Sequence, residues 1–152
     1  MPYKTILVAT DFSENAQRAF ERAHDLARQL GAKLYVLHAQ DESALRTAIK
    51  EGLLREDSTD EQLQRDVAQL TEERFSEMMA GIDSAEIVVE HLARRGDPKR
   101  MISEFAREIA ADLVVVGRRG TSLIDLVLGS VADSVIRNSP CPVMVVRRDH
   151  HV

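Results

Sequence analysis

Glycines at positions 117, 120 and 129, together with Ser130, form the segment with the clearest capacity for chemistry. Because glycine has no Cβ, its backbone N–H can approach an anion closely. Gly129 and Ser130 stand where a helix is expected to begin, and a helix N-terminus offers unpaired N–H donors and a favourable dipole to phosphate. Ser130 adds a hydroxyl donor. These residue types are suited to binding a phosphate group.

Asp11 is the second candidate, since it follows the apolar run Thr5–Thr10 directly and its carboxylate could accept hydrogen bonds from a ribose. A purely structural interpretation is equally open for all these residues. Gly117 could simply end a strand, Gly129 could ease a turn, and Ser130 or Asp11 could cap a helix. Spacing alone does not decide between nucleotide binding and these structural roles.

Several other kinds of site are disfavoured by the sequence. A P-loop requires Gly-Lys followed by Ser or Thr, and this dipeptide pattern does not occur. The glycine fingerprint of dinucleotide-binding folds is missing after the first apolar run. The five histidines lack metal-ligand spacing, and His38 is interpreted as a structural residue at the end of a strand. We therefore predict no catalytic residue and no metal ligand.

The elements that must position these residues alternate along the chain. Apolar runs predict strands over Thr5–Thr10, Lys33–Ala39, Ala85–Leu92, Asp112–Gly117 and Val143–Arg147. Helical periodicity separates the strands. Such alternation implies a parallel sheet with helices on both faces. In folds of this kind ligands bind beyond the carboxyl ends of the strands, where the strand order reverses. Asp11 and the glycine segment share one crevice if strands one and four are neighbours.

Local signals predict where the helices begin and end. Ser13 is expected to be the N-cap of the first helix and Gly31 to lie at its C-terminus. Asp97 followed by Pro98 predicts the start of the helix before strand four. Between strands two and three, a short helix precedes a longer one, whose capping box is either Ser58 with Glu61 or Thr59 with Gln62.

Composition limits the domain count and the partners. The 152 residues are expected to form one domain over residues 1–147, followed by a tail over residues 148–152. The net charge of −5 argues against a nucleic-acid partner. No apolar stretch approaches the roughly 18 residues of a membrane span, so no membrane insertion is predicted. Cys141 is the only cysteine, and a cytoplasmic location is expected.

Three segments resemble the universal stress protein family: ILVATDFSENAQRAFERAHDLARQLGAKLYVLHA, GDPKRMISEFAREIAADLVVVGRRG and LGSVADSVIRNSPCPVMVVR. The similarity extends over nearly the whole chain and is weakest over residues 40–82. It implies an open five-stranded parallel sheet in the order 3-2-1-4-5, of the adenine nucleotide alpha hydrolase-like type. That order places strands one and four side by side.

The resemblance also implies a set of site residues. Family members that bind ATP use a G-x2-G-x9-G-[ST] motif for ribose and phosphates. Carried over by position, the phosphate side comprises Gly117, Gly120, Gly129, Ser130 and Val131. The residues implied around adenine and ribose are Thr10, Asp11, Ala39 and Val116. Here eight residues, Thr121 to Leu128, replace the nine of the motif, so the contact with the γ-phosphate is the part of the motif that this sequence changes.

The function implied by the resemblance is a homodimeric regulator of the stress response that binds ATP or AMP, with or without magnesium. The regulated protein is unknown. We do not expect an enzyme, although backbone electrostatics alone would allow slow ATP hydrolysis. The alternative is a homodimeric protein-interaction module whose crevice no longer binds a nucleotide.

The segment Val143–Val146 is the predicted dimer contact. It is apolar throughout, and an unguarded strand at a sheet edge is a template for pairing. Family members commonly dimerise through this strand. The other possibility is that a helix or the tail covers it.

Overall fold

The computed structural model describes residues 3–57, 59–82, 86–118 and 128–147. Within these ranges five strands alternate with helices. The strands are β1 (Thr5–Ala9), β2 (Lys33–Gln40), β3 (Val89–Arg95), β4 (Leu113–Gly117) and β5 (Val143–Val146). The helices are α1 (Glu14–Leu30), α2 (Glu42–Lys50), α3 (Asp60–Met79), α4 (Pro98–Glu108) and α5 (Ser130–Asn138).

The five strands form one parallel sheet in the order β3-β2-β1-β4-β5, which confirms the predicted order. β1 lies at the centre and pairs with both β2 and β4. Val8 of β1 stands opposite Val36 on one side and Val115 on the other. The carboxyl ends of β1, β2 and β4 therefore meet at one edge of the sheet, where the sequence places Asp11 and the glycine segment.

Helices cover both faces of the sheet, as predicted. Successive residues of β1 face opposite sides, since side chains alternate along a strand. Ile6 and Val8 belong to a buried cluster shared with α1 and α3, whereas Leu7 belongs to a second cluster shared with α4 and α5. All three side chains are fully buried. The sheet is therefore the middle of three layers, which explains why its central strands are apolar on both faces.

The predicted helix ends are confirmed. Ser13 is the N-cap of α1, and its Oγ accepts a hydrogen bond from the N–H of Ala16 at 3.2 Å. Gly31 follows α1 in the left-handed conformation, with φ of +66°. Asp97 caps α4, with Pro98 as the first helical residue. These residues therefore determine where α1 begins after β1 and where α4 begins after β3.

The third strand differs from its prediction, which placed it over Ala85–Leu92. The observed β3 runs from Val89 to Arg95. Its C-terminal half is charged because β3 is an edge strand, where side chains reach solvent. The Arg94 guanidinium bonds to the Glu108 carboxylate and lies 4.7 Å from the centre of the Phe105 ring. The prediction ended the strand too early because it expected a run apolar on both faces.

The α2–α3 segment connects β2 to β3. Of the two predicted capping boxes, the structure contains the one formed by Thr59 and Gln62. The N–H of Gln62 donates to Thr59 Oγ1, and the N–H of Thr59 donates to Gln62 Oε1. No helix within the described ranges is both long enough and apolar enough to span a membrane.

Candidate functional site

A cavity of about 530 Å³ lies at the carboxyl ends of the central strands, and we call it the central cavity. The ends of β1, β2 and β4 form its floor. Residues of α2 and α3 form its far wall, and Val131 of α5 reaches it from the opposite face of the sheet. Ligands of doubly wound folds bind in this position because the strand order reverses between β1 and β4.

A second depression of about 800 Å³ adjoins the central cavity, and we call it the outer cleft. It lies between the N-terminal ends of α2, α4 and α5, and Arg95, Lys99 and Ser130 are among its lining residues. The two spaces adjoin each other, since six residues line both. These shared residues are Gln40, Asp41, Ser43, Leu45, Pro98 and Val131.

The predicted site residues are distributed over these two spaces. Those that line the central cavity are Thr10, Asp11, Ala39, Val116, Gly117 and Val131. Ser130 and Val131 line the outer cleft, and Gly129 is the N-cap of α5. Gly120 and the loop residues 121–127 lie outside the described residues. The fold thus brings residues from the two ends of the chain to one place.

Thr10 ties the end of β1 to the end of β2. Its N–H donates to the Leu37 carbonyl at 2.9 Å, and its own carbonyl accepts from Nδ1 of His38 at 2.9 Å. Its hydroxyl oxygen accepts a hydrogen bond from the N–H of Phe12 at 2.9 Å. Thr10 is buried, so its main role in this arrangement is to shape the cavity floor.

Asp11 is exposed at the cavity, and its Oδ1 accepts a hydrogen bond from the N–H of Ser13 at 2.9 Å. Ser13, rather than Asp11, caps the helix. The Ser13 amide therefore orients the Asp11 carboxylate. Its second oxygen, Oδ2, has no hydrogen-bond partner among the described residues. A carboxylate held in this way can accept a hydrogen bond from a ligand hydroxyl.

Phe12 makes the sharp turn that brings four consecutive residues, 10 to 13, to the cavity wall. Its φ is +62°, a left-handed conformation that is rare outside glycine and costs on the order of 1–3 kcal/mol. Ring packing holds it there, since the Phe12 ring lies 4.6 Å from His38 and 5.1 Å from Phe75. The sequence predicts a turn at residues 11–13, but it does not predict the left-handed conformation of Phe12.

His38 is buried and lines the floor of the central cavity. Burial lowers the pKa of its imidazole, and the hydrogen bond to the Thr10 carbonyl opposes this effect only in part. Since Nδ1 faces a carbonyl oxygen, it must carry the proton in the neutral ring. This arrangement agrees with the interpretation of His38 as a structural histidine.

Gly117 has a packing role besides lining the cavity. A Cβ added at this position would lie 3.0 Å from the carbonyl oxygen of Asn15 and 3.2 Å from its carbonyl carbon. Glycine is therefore needed for the end of β4 to approach the first turn of α1. The structural and the site interpretations of Gly117 are compatible.

The prediction that the Gly129 amide binds phosphate is wrong. The backbone N–H of Gly129 was expected to be available to phosphate, but it donates to the Arg118 carbonyl at 2.9 Å. Arg118 itself continues the sheet, since its N–H donates to the Val146 carbonyl at 3.0 Å. The two ends of the 118–129 connection are thus joined by a hydrogen bond, which uses the glycine amide.

The first turn of α5 still offers donors. The helix begins at Ser130, as predicted, and no side chain caps it at Gly129. The amides of Ser130 and Val131 belong to this first turn, where no intrahelical acceptor is available. Both residues line the outer cleft. An anion in the cleft would therefore meet Ser130 and Val131 rather than the Gly129 amide.

Sequence reasoning missed the wall formed by α2 and α3. Val67, Leu70, Thr71 and Arg74 of α3 all line the central cavity. Their spacing of three, four and seven residues places them on one helix face, and this periodicity was the available signal. The part of the chain that the structure describes contains no group of three or more His, Cys, Asp or Glu side chains suited to a metal.

The family model for the "Universal stress protein family" matches residues 2–147. The chain belongs to the universal stress protein family. Universal stress protein MJ0531 of Methanocaldococcus jannaschii is 32% identical over 158 residues, covering 96% of this chain and 83% of the relative.

Two solved structures of universal stress proteins are similar over almost their whole length. A universal stress protein in complex with cAMP is 27% identical, with a TM-score of 0.68, and the match covers 98% of this chain and 100% of that one. A universal stress protein of Archaeoglobus fulgidus in complex with dAMP is 27% identical, with a TM-score of 0.64 and coverage of 97% and 100%. The adenine nucleotide alpha hydrolase-like fold expected from the sequence is confirmed by these similarities and the strand order.

Proposed function

We propose that this universal stress protein binds an adenine nucleotide, with ATP as the main ligand, and acts as a homodimeric regulator. The observation that carries the proposal is that the central cavity and the outer cleft adjoin and share six lining residues. The first would take the base and ribose, and the second would take the phosphates. The complexes of two relatives with cAMP and dAMP support the class of ligand.

The central cavity has the character of a nucleoside site. Ala39 and Val116, the penultimate residues of β2 and β4, present small apolar surfaces to a flat base. The Asp11 carboxylate, held by Ser13, stands ready to accept a hydrogen bond from a ribose hydroxyl. Apolar walls with few polar groups are typical of small-molecule sites.

The outer cleft has the character of a phosphate site. The amides of Ser130 and Val131 begin α5, and a helix N-terminus attracts negative charge. Lys99 and Arg95 line the same cleft and add two positive charges. A polyphosphate that extends from the central cavity would reach these groups. The Asp41 and Asp97 carboxylates also line the cleft. They would be the ligands of a magnesium ion that is bound together with ATP.

We propose regulation rather than catalysis as the main role. His38 is buried, and burial lowers the pKa of its imidazole, so the ring is a weak base for activating water. One observation favours the alternative of a protein-interaction module without a nucleotide: the Gly129 amide is already bonded to Arg118. The two functions are separated by a binding measurement.

The test is calorimetric titration of ATP into the wild-type protein and into Gly129→Asp. Gly129 has the extended conformation of an N-cap, with φ of −64° and ψ of 152°, and aspartate is a favoured N-cap residue. The variant should therefore fold, while its carboxylate repels the phosphates. We expect its ATP affinity to fall by at least about tenfold.

Thr59→Asp is the matched control, because it places the same charge at the N-cap of α3, where Thr59 caps the helix. It should bind ATP as the wild type does. Absence of saturable binding by the wild-type protein at millimolar ATP would contradict nucleotide binding and leave the interaction module.

A further inference from the structure

Arg74 belongs to α3 and lies on the wall of the central cavity. It is half-buried and, among the described residues, has no carboxylate partner. Two other half-buried arginines differ in this respect, since Arg18 pairs with Glu14 and Arg94 pairs with Glu108. Arg74 is therefore a partly desolvated guanidinium that makes no hydrogen bond or ion pair with the residues that the structure describes.

Arg74 shares the lining of the central cavity with apolar and aromatic side chains and with the carboxylates of Asp11, Asp41 and Glu51. Val67 and Leu70 precede it on the same helix face, and Phe12 and His38 line the same cavity. The positive charge of Arg74 is close enough to His38 to contribute to lowering the pKa of that imidazole. Arg74 thus lies at the part of the cavity near His38, where β1 and β2 end.

This location is remote from the phosphate groups of the proposed ligand. Arg74, Phe12 and His38 line the central cavity but not the outer cleft, whereas Lys99 and Ser130 line the cleft but not the cavity. The positive groups of the site are therefore divided between two ends. A nucleotide with its phosphates at Ser130 presents its base, rather than a phosphate, to the end where Arg74 lies.

We propose that Arg74 binds the purine base, with the plane of its guanidinium against the ring. This inference rests on the proposed nucleotide-binding function. A guanidinium stacks on aromatic faces and is more weakly hydrated than an ammonium group. Its attraction to a π face is larger where water is excluded. Arg74 would thus be a positioning residue for the base, contributed by a helix that lies outside the glycine motif.

The test compares adenosine with ATP on Arg74→Gln and Arg74→Lys. Affinities are measured by ligand-observed NMR for adenosine and by calorimetry for ATP. For Arg74→Gln we expect a loss of about tenfold that is the same for both ligands. Arg74→Lys keeps the charge but lacks the plane, so it should also lose affinity for both. If Arg74→Gln fails to fold, Arg74→Lys alone decides.

Arg65→Gln is the matched control, since Arg65 is an exposed arginine on the same helix that does not line the cavity. It should change neither affinity. A loss that is larger for ATP than for adenosine and is restored by lysine would show a phosphate contact and overturn the proposal. Unchanged affinities, or no adenosine binding to the wild-type protein, would overturn it as well. Only the absence of ATP binding to the wild type would refute the proposed function itself.

Discussion

Nδ1 of His38 lies 2.9 Å from the carbonyl oxygen of Thr10, and this hydrogen bond joins the ends of the two central strands directly beneath the cavity. It is made by the neutral ring, which burial favours by lowering the pKa of His38 below its ordinary value of 6.5. The floor of the proposed nucleoside site is therefore coupled to the protonation of one buried side chain.

The first prediction concerns acid stability. The pKa of His38 is lower in the folded protein than in the unfolded chain. At pH values below about 6.5 the unfolded chain therefore binds more protons than the folded protein does. The contribution of His38 to the free energy of unfolding is therefore present above about pH 6.5 and is lost as the pH falls through the lower, folded-state pKa. Urea unfolding of the wild type should show a decrease between about pH 7.5 and about pH 5.5.

His38→Asn should flatten this part of the profile, since asparagine can donate one hydrogen bond and does not titrate. Gln40→Asn is the control, because it is a change between two side chains that do not titrate, at another residue that lines the central cavity. It should keep the slope of the wild type. A His38→Asn profile as steep as that of the wild type would contradict the account.

The second prediction concerns Gly117. Alanine at this position should lower the free energy of unfolding by about 1–3 kcal/mol, because its Cβ would crowd the backbone of Asn15. Gly81→Ala is the matched control, since an added Cβ there has no heavy atom within 4 Å. Equal stability of the two variants in thermal unfolding would show that Gly117 is not needed for packing.

The third prediction concerns Asp11. Asp11→Asn keeps a side-chain oxygen for the Ser13 amide but removes the negative charge, so the fold should persist. We expect ATP affinity to fall by about tenfold, as for loss of a hydrogen bond to a charged group. Asp25→Asn, at an exposed residue of α1, should have no effect. Calorimetry in which both variants match the wild type would remove Asp11 from the ribose contact.

The fourth prediction concerns the proposed dimer. β5 is an edge strand that pairs with β4 on one side, and Val145 is half-buried. If a second copy covers this edge, Val145→Lys should convert dimers to monomers in sedimentation velocity, since lysine guards exposed edges. Val88→Lys, at a residue that is 63% exposed beside β3, should not. Persistence of the dimer in Val145→Lys would exclude β5 from the interface.

Local signals in the sequence were sufficient for much of the fold. Ser13, Gly31 and Asp97 mark helix ends through interactions with residues a few positions away, so their roles follow from type and position. The alternation of strands and helices alone does not predict that β1 and β4 are adjacent in the sheet. The resemblance to the family implied this adjacency. The error at β3 has a simple cause, because the position of an edge strand depends on its neighbour rather than on its own hydrophobicity.

The site was harder to predict than the fold. The hydrogen bond from Gly129 to Arg118 closes a long connection, and no short motif specifies it. The left-handed turn at Phe12 depends on packing against Phe75, which is distant in the sequence. Arg74 reaches the cavity because of how α3 lies over the sheet. In each case a non-local contact decides what the residue does.

The most direct test of the proposed function is an amide-resolved NMR titration of the wild-type protein with ATP. If ATP binds at this site, we expect saturable shifts that are largest at the amides of Ser130 and Val131, together with shifts at Asp11 and Ala39 on the cavity floor. The amide of Gly129 should remain protected from solvent exchange by its bond to Arg118. Saturable shifts confined to other surfaces, with these amides unchanged, would contradict the account.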